Sequence, residues 1–194
     1  MLISLKSLIK ELEGSKELYD FLTSFSCEKD SDIEYFLNNR AVEFEKLSKS
    51  RTYFICDEDD LMNKTLSEVA VYGYIALSLK ILTVPEETSN RVRKEIDGLS
   101  AKIHGERIND FSCYLIGQLA KNSNIKNNSI TGTELIDIAC NVIATSVDAV
   151  GGRYILVECK DEDKLINFYS DNGFNVISKV PDDDQVMIQM LRKI

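Results

Sequence analysis

The sequence predicts an α/β domain built on a mixed β-sheet, and three observations carry that reading. Cys113–Ala120 is a nearly continuous apolar run, the pattern of a central strand buried on both faces. A polar loop, the amphipathic stretch Gly132–Val150 and a second apolar run, Tyr154–Cys159, follow it. That order of strand, helix, strand is the crossover between two parallel strands. Earlier, Arg51–Cys56 and Val69–Leu79 are strand-like runs separated by the acidic turn Asp57–Asp60, which predicts an antiparallel pair.

The remaining elements follow from periodicity. Leu2, Leu5, Leu8, Ile9 and Leu12 recur at helical spacing, and Leu18, Phe21 and Leu22 resume after Gly14. Residues 1–25 therefore read as a helical extension preceding a domain over 26–194. A second helix is predicted over Asp30–Lys49, with Asp30 or Ser31 as its cap. Glu86–Leu99 is polar and helix-prone, and Ala101–Asp110 reads as a loop. The helix over Gly132–Val150 carries Leu135, Ile136, Ile138, Ala139, Val142, Ile143 and Val147 in an amphipathic pattern and ends at Gly151-Gly152. A helix over Asp161–Asp171, closed by Asn172-Gly173, leads to late strands at Phe174–Ser178 and Val186–Leu191.

Composition bounds the function. The chain has 194 residues, 44% of them hydrophobic, enough for a core and far from a disordered composition. Its apolar runs fall short of the roughly 20 residues a membrane helix needs, so no membrane partner is expected. No small-residue cleavage site follows an apolar stretch, so no signal peptide is expected. Cys27, Cys56, Cys113, Cys140 and Cys159 are odd in number and widely spaced, the pattern of a reduced, cytoplasmic protein. One histidine, His104, and no Cys/His cluster leave no metal site to expect. The net charge of −9 disfavours nucleic acid and favours a basic acceptor such as an amine. The densest basic spot, Arg91, Arg93 and Lys94, is ringed by acids and reads as a solvated helix face.

Ligands of a parallel crossover bind beyond the carboxyl ends of its strands, where a helix N-terminus offers free N–H groups to anions. In this chain that place is Lys126-Asn127-Asn128-Ser129-Ile130-Thr131-Gly132. The loop's composition alone is a weak phosphate signal and favours an ordinary connection, since any such loop is polar.

Leu115–Ile136 resembles the coenzyme A motif of the GNAT acetyltransferases. There a strand ending Leu-Ala-Val leads to Arg/Gln-x-x-Gly-x-Gly/Ala and then a helix with a Leu pair. Here the strand ends Gln118-Leu119-Ala120-Lys121, Lys126 stands at the Arg/Gln position, Ser129 and Thr131 replace the glycines, and Leu135-Ile136 the Leu pair. Phe168-Tyr169-Ser170-Asp171-Asn172-Gly173-Phe174 is similar to the family's Phe-Tyr-x-x-x-Gly-Phe signature. Phe25-Ser26-Cys27 followed by Asp32-Ile33-Glu34-Tyr35-Phe36-Leu37 is similar to the opening of a bacterial subgroup that includes tRNA-acetylating toxins.

The resemblance implies a GNAT-like mixed sheet flanked by helices and acetyl-CoA as co-substrate, with direct attack by an amine in a ternary complex. Backbone groups of Leu119 and Lys121 would pair with pantetheine beside Gln118 and Ala120. The N–H groups from Asn127 to Gly132 would hold the diphosphate, with Lys126 at its edge. Tyr169 matches the tyrosine that protonates the leaving thiolate, and Glu158, near the end of its strand, is a candidate base beside a water chain. His104 reads as a surface histidine and Cys159 as a core cysteine. The acceptor is a small-molecule or protein amine. An inactive coenzyme-binding or partner-binding module and a toxin acetylating aminoacyl-tRNA are the alternatives. The N-terminal residues are candidates for a partner or homodimer contact.

Overall fold

In the computed structural model, which describes residues 1–182 and 185–194, strand β1 (Leu2–Ser4) is followed by helices α1 (Leu5–Leu12), α2 (Lys16–Thr23), α3 (Ser31–Asn39) and α4 (Ala41–Lys46). Then come β2 (Arg51–Cys56), α5 (Glu58–Asn63), β3 (Val71–Thr83), α6 (Asn90–Asp97), β4 (Lys102–Ile103), β5 (Glu106–Arg107) and β6 (Asp110–Lys121). Helix α7 (Gly132–Val150), β7 (Tyr154–Lys160), α8 (Asp163–Asp171), β8 (Asn175–Asp182) and β9 (Gln185–Lys193) complete the chain. Seven strands form a mixed sheet in the order β1-β2-β3-β6-β7-β9-β8, and β4 and β5 form a separate hairpin. The predicted α/β class and mixed sheet are present. Contacts divide the chain into two compact units: Met1–Ser78 with Ile116–Ala139, and Leu79–Leu115 with Cys140–Ile194.

In the first unit, β2 pairs antiparallel with both β1 and β3. The first residues depart from the expected helix: Leu2, Ile3 and Ser4 pair with Ile55, Phe54 and Tyr53. Ser4 then caps α1, its hydroxyl accepting from Ser7 N–H at 3.1 Å. Gly14, at φ +73°, breaks the helical periodicity, and Ser15 caps α2. The stretch expected as one helix over 30–49 divides at Arg40, whose φ of −124° leaves the helical region. Asp30 is the cap of the first part. The second part carries Glu45, buried at 5% exposure, whose carboxylate accepts from Arg51 Nη1 and from Thr52 N–H at 3.0 Å each. The acidic turn after β2 is the short helix α5, capped by Asp57.

One core joins these pieces. Leu5, Leu8, Ile9, Leu18, Phe21, Leu22 and Phe25 are buried with Phe54, Val71 and Tyr74. Phe21 meets Phe54 edge-on at 5.0 Å, and Phe25 meets Tyr74 edge-on at 4.9 Å. The buried Tyr74 hydroxyl donates to Ile33 O at 2.6 Å, fixing α3.

In the second unit, β7 is buried along most of its length. It runs parallel to β6 (Tyr114↔Ile155, Leu115↔Leu156) and antiparallel to β9. Leu82, Ile96, Phe111, Cys113, Leu156 and Leu191 form its core. The loop expected at 101–110 contains the β4–β5 hairpin. Arg93 departs from the solvated basic face: it is fully buried. Its guanidinium donates to the carbonyls of Pro85, Glu86, Thr88 and Ile108 and to the Asn109 side chain, satisfying a buried cation without a carboxylate.

Leu5, with no exposed surface, ties the N-terminal residues to the core of the first unit. Leu5→Ala is expected to lower unfolding stability by about 2–5 kcal/mol, read from the urea midpoint at unchanged m-value.

Candidate functional site

The candidate loop begins where β6 ends. Gln118 and Leu119 are half-buried, Ala120 is buried and Lys121 is exposed. The backbone here runs close to β3 and α7. A Cβ on Gly73 would lie 2.8 Å from Ala120 O and 3.2 Å from a Leu135 methyl, so glycine is required at that crossing.

Asn122 follows, at 4% exposure. Its Nδ2 donates to Val71 O at 2.8 Å, and its Oδ1 accepts from Ser26 N–H at 3.1 Å and Asn124 N–H at 3.0 Å. Its own N–H donates to Tyr72 O at 2.9 Å. Ser123 N–H donates to Ser26 O, Ser123 Oγ accepts from Glu28 N–H, and Asn124 Nδ2 donates to Ser24 O. The loop is thereby fastened to the segment between α2 and α3. Asn128 closes it from the other side, donating Nδ2 to Tyr72 O and Asn122 O and accepting from Ile130 N–H. Lys121 Nζ donates to Asn128 O at 3.1 Å. Between them Asn127 takes φ +56°, a left-handed turn that asparagine tolerates.

Helix α7 starts with a reciprocal cap. Glu134 N–H donates to Thr131 Oγ1 at 3.1 Å, while Thr131 N–H and hydroxyl donate to Glu134 Oε2 at 2.6 and 2.8 Å. The Thr131 N–H and hydroxyl bonds hold the Glu134 carboxyl below the usual carboxylate range, with a smaller contribution from the Lys121 charge. Among the described residues, the N–H groups of Ser129, Gly132 and Thr133 make no hydrogen bond. Lys126 is exposed. Free N–H groups, a helix start and exposed lysine are donors a diphosphate can use, and to that extent the loop fits coenzyme A. Residues Gln118–Lys121 and Lys126–Gly132 are thus brought together. Asn122 and Glu134 were missed, although Thr131-x-x-Glu134 before an apolar run is a legible capping signature.

The second unit holds the other candidates. Tyr169, on α8, lies edge-on to Phe168 at 5.1 Å and to Phe174 at 5.7 Å. Burial, with a lesser contribution from Cys159, pushes its hydroxyl up to about 12. Glu158, on β7, accepts from Lys80 Nζ at 2.6 Å and from Gln189 Nε2 at 2.8 Å. Gln189 in turn accepts from Ser178 Oγ at 2.6 Å. Glu158 is therefore held in a four-residue row across the strands. The thiol of Cys159 is raised by burial, as are Cys56, to about 12, and Cys113, to about 11; none has the lowered pKa of a nucleophile. His104 is exposed in the β4–β5 turn at φ +50°. Among the described residues no three His, Cys, Asp or Glu side chains are grouped for a metal, and no helix is long and apolar enough to cross a membrane.

The Asn122→Ala change would leave Ser26 N–H and Val71 O without their partner. It is expected to cost about 2–4 kcal/mol and to speed hydrogen exchange at the Ser26 and Asn124 amides before that of α1.

No protein-family model and no curated protein matches the sequence. Solved structures do match. AtaT complexed with acetyl-methionyl-tRNAfMet is 21% identical at a TM-score of 0.60, over 86% of this chain and 85% of that one. AtaTR bound with acetyl-CoA is 20% identical at 0.61, over 98% and 92%. A tyrosine-to-phenylalanine variant of KacT is 17% identical at 0.61, over 98% and 94%. Over nearly its whole length the chain has the GNAT fold of the AtaT and KacT toxins.

Proposed function

We propose that the chain is an acetyl-CoA-dependent N-acetyltransferase whose acceptor is the amino group of an aminoacyl-tRNA. The observation that carries this reading is the fold match over most of the chain to one structure holding acetyl-methionyl-tRNA and another holding acetyl-CoA. The free N–H groups of Ser129, Gly132 and Thr133 support it, being donors for a diphosphate.

In this mechanism Ser129, Gly132, Thr133 and Lys126 bind the diphosphate. Backbone groups of Leu119 and Lys121 pair with the pantetheine amides as an added strand would. Bound acetyl-CoA supplies a thioester whose acetyl group the amine takes directly: a C–N bond forms, the C–S bond breaks, and the electron pair leaves on sulfur. Tyr169, neutral at working pH because its hydroxyl is pushed up to about 12, gives the departing sulfur its proton. Both oxygens of Glu158 already accept hydrogen bonds, so Glu158 holds Lys80 and Gln189 in place. The amine's proton leaves through a water chain.

A second reading, acetylation of a small basic amine, is favoured by the net charge of −9, which repels a polyphosphate and attracts a cation. The purified chain, given labelled acetyl-CoA, separates these. Label in an aminoacyl-tRNA pool and not in diamines or lysine peptides supports the first reading, and the reverse supports the second. Absence of both transfer and free CoA leaves a non-catalytic module. Tyr169→Phe is expected to lower kcat by roughly 10²–10⁴. In the wild type, kcat/KM should rise with pH as the acceptor amine loses its proton. No descending limb from Tyr169 should appear until pH approaches about 12.

A further inference from the structure

The start of α7 already holds an anion, and it belongs to the chain. Glu134 Oε2 sits 2.6 Å from Thr131 N and 2.8 Å from Thr131 Oγ1, on the first turn of the helix. Glu134 is exposed, so a large anion arriving from solvent meets this charge directly. Thr131 stands where the resembling motif has a glycine, and its side chain is what allows the reciprocal cap to form.

A carboxylate at this place does what a bound phosphate would do. It takes an N–H of the helix start and offsets the positive end of the helix dipole. Two anions cannot share that role without repulsion, because the field there is local to the first turn. The Lys121 ammonium, which donates to Asn128 O at 3.1 Å, adds a cationic charge that acts on Glu134.

We propose that Glu134 is a built-in competitor for the coenzyme's diphosphate. It weakens acetyl-CoA binding and swings from Thr131 toward Lys121 when coenzyme enters. The inference rests on the reading of Lys126–Gly132 as the coenzyme loop. It makes coenzyme affinity a property tuned by one exposed side chain just beyond the loop, and it occupies Thr131 N–H while the loop is empty.

Calorimetric titration with acetyl-CoA and, separately, with acetyl-pantetheine, which lacks the diphosphate, tests it. Glu134→Gln keeps an acceptor for Thr131 N–H and removes the charge. It is expected to bind acetyl-CoA about tenfold tighter and acetyl-pantetheine unchanged, at a melting midpoint close to wild type. Glu134→Ala removes cap and charge together and should also tighten acetyl-CoA selectively. Wild-type binding with no gain in either variant, or an equal gain for acetyl-pantetheine, overturns the role of Glu134 and leaves the coenzyme reading standing. No binding of acetyl-CoA by any of the three proteins overturns both.

Discussion

A buried amide governs the geometry of everything that follows β6 in the first unit. Asn122 satisfies a carbonyl at the start of β3, an N–H of the segment between α2 and α3, and an N–H of its own loop. A side chain at 4% exposure with this many partners has one placement, because each bond lost would leave a polar group unpaired out of water. The loop therefore leaves the strand in a fixed direction, and Asn128 returns it to the carbonyl of Tyr72, which also accepts from Asn122 N–H. Residues 126–132 are presented by a closed polar frame, not by a flexible hinge.

That frame gives the loop a fixed shape without the glycines of the motif it resembles. Glycine allows a backbone to wrap an anion at the cost of conformational entropy in the unbound state. Here Asn127 supplies the one left-handed turn, Asn128 imposes the bend, and Thr131 with Glu134 fixes the helix start. Side-chain hydrogen bonds replace backbone freedom. A loop of this kind is more ordered when empty and admits fewer ligand geometries than one built on glycine.

How far the sequence revealed this follows from the range of the signals. Helix α7, with seven apolar residues at helical spacing, and the buried runs of β6 and β7 declare themselves locally, so the crossover and its loop were legible. Leu2–Ser4 was not, because three residues form a strand only when Tyr53–Ile55 are beside them, and their neighbours carry a helical period. The break at Arg40 was hidden in a continuous apolar pattern; only the φ of −124° shows it. Arg93 looked like surface charge because its partners, four backbone carbonyls and the Asn109 side chain, have no sequence signature. At the candidate loop, Lys126–Gly132 stands out through the motif it resembles, whereas Asn122 gains its meaning from Ser26 and Val71, which lie far away in sequence.

Burial decides what Tyr169 can do as an acid. Its hydroxyl is pushed up to about 12, whereas a thiol in water titrates near 8.5, so transfer from Tyr169 to a solvated thiolate is uphill by roughly a thousandfold or more. The balance closes only when the thiolate is desolvated as well. Burial acts in the same direction on this chain's own sulfur, raising the thiols of Cys56, Cys113 and Cys159. An acid of this kind works on a leaving sulfur inside an apolar surround and fails on one exposed to water. The edge-on rings of Phe168 and Phe174 supply such a surround at the tyrosine. In the proposed reaction these two phenylalanines, which carry no acid or base, set the match between donor and acceptor as much as the hydroxyl does.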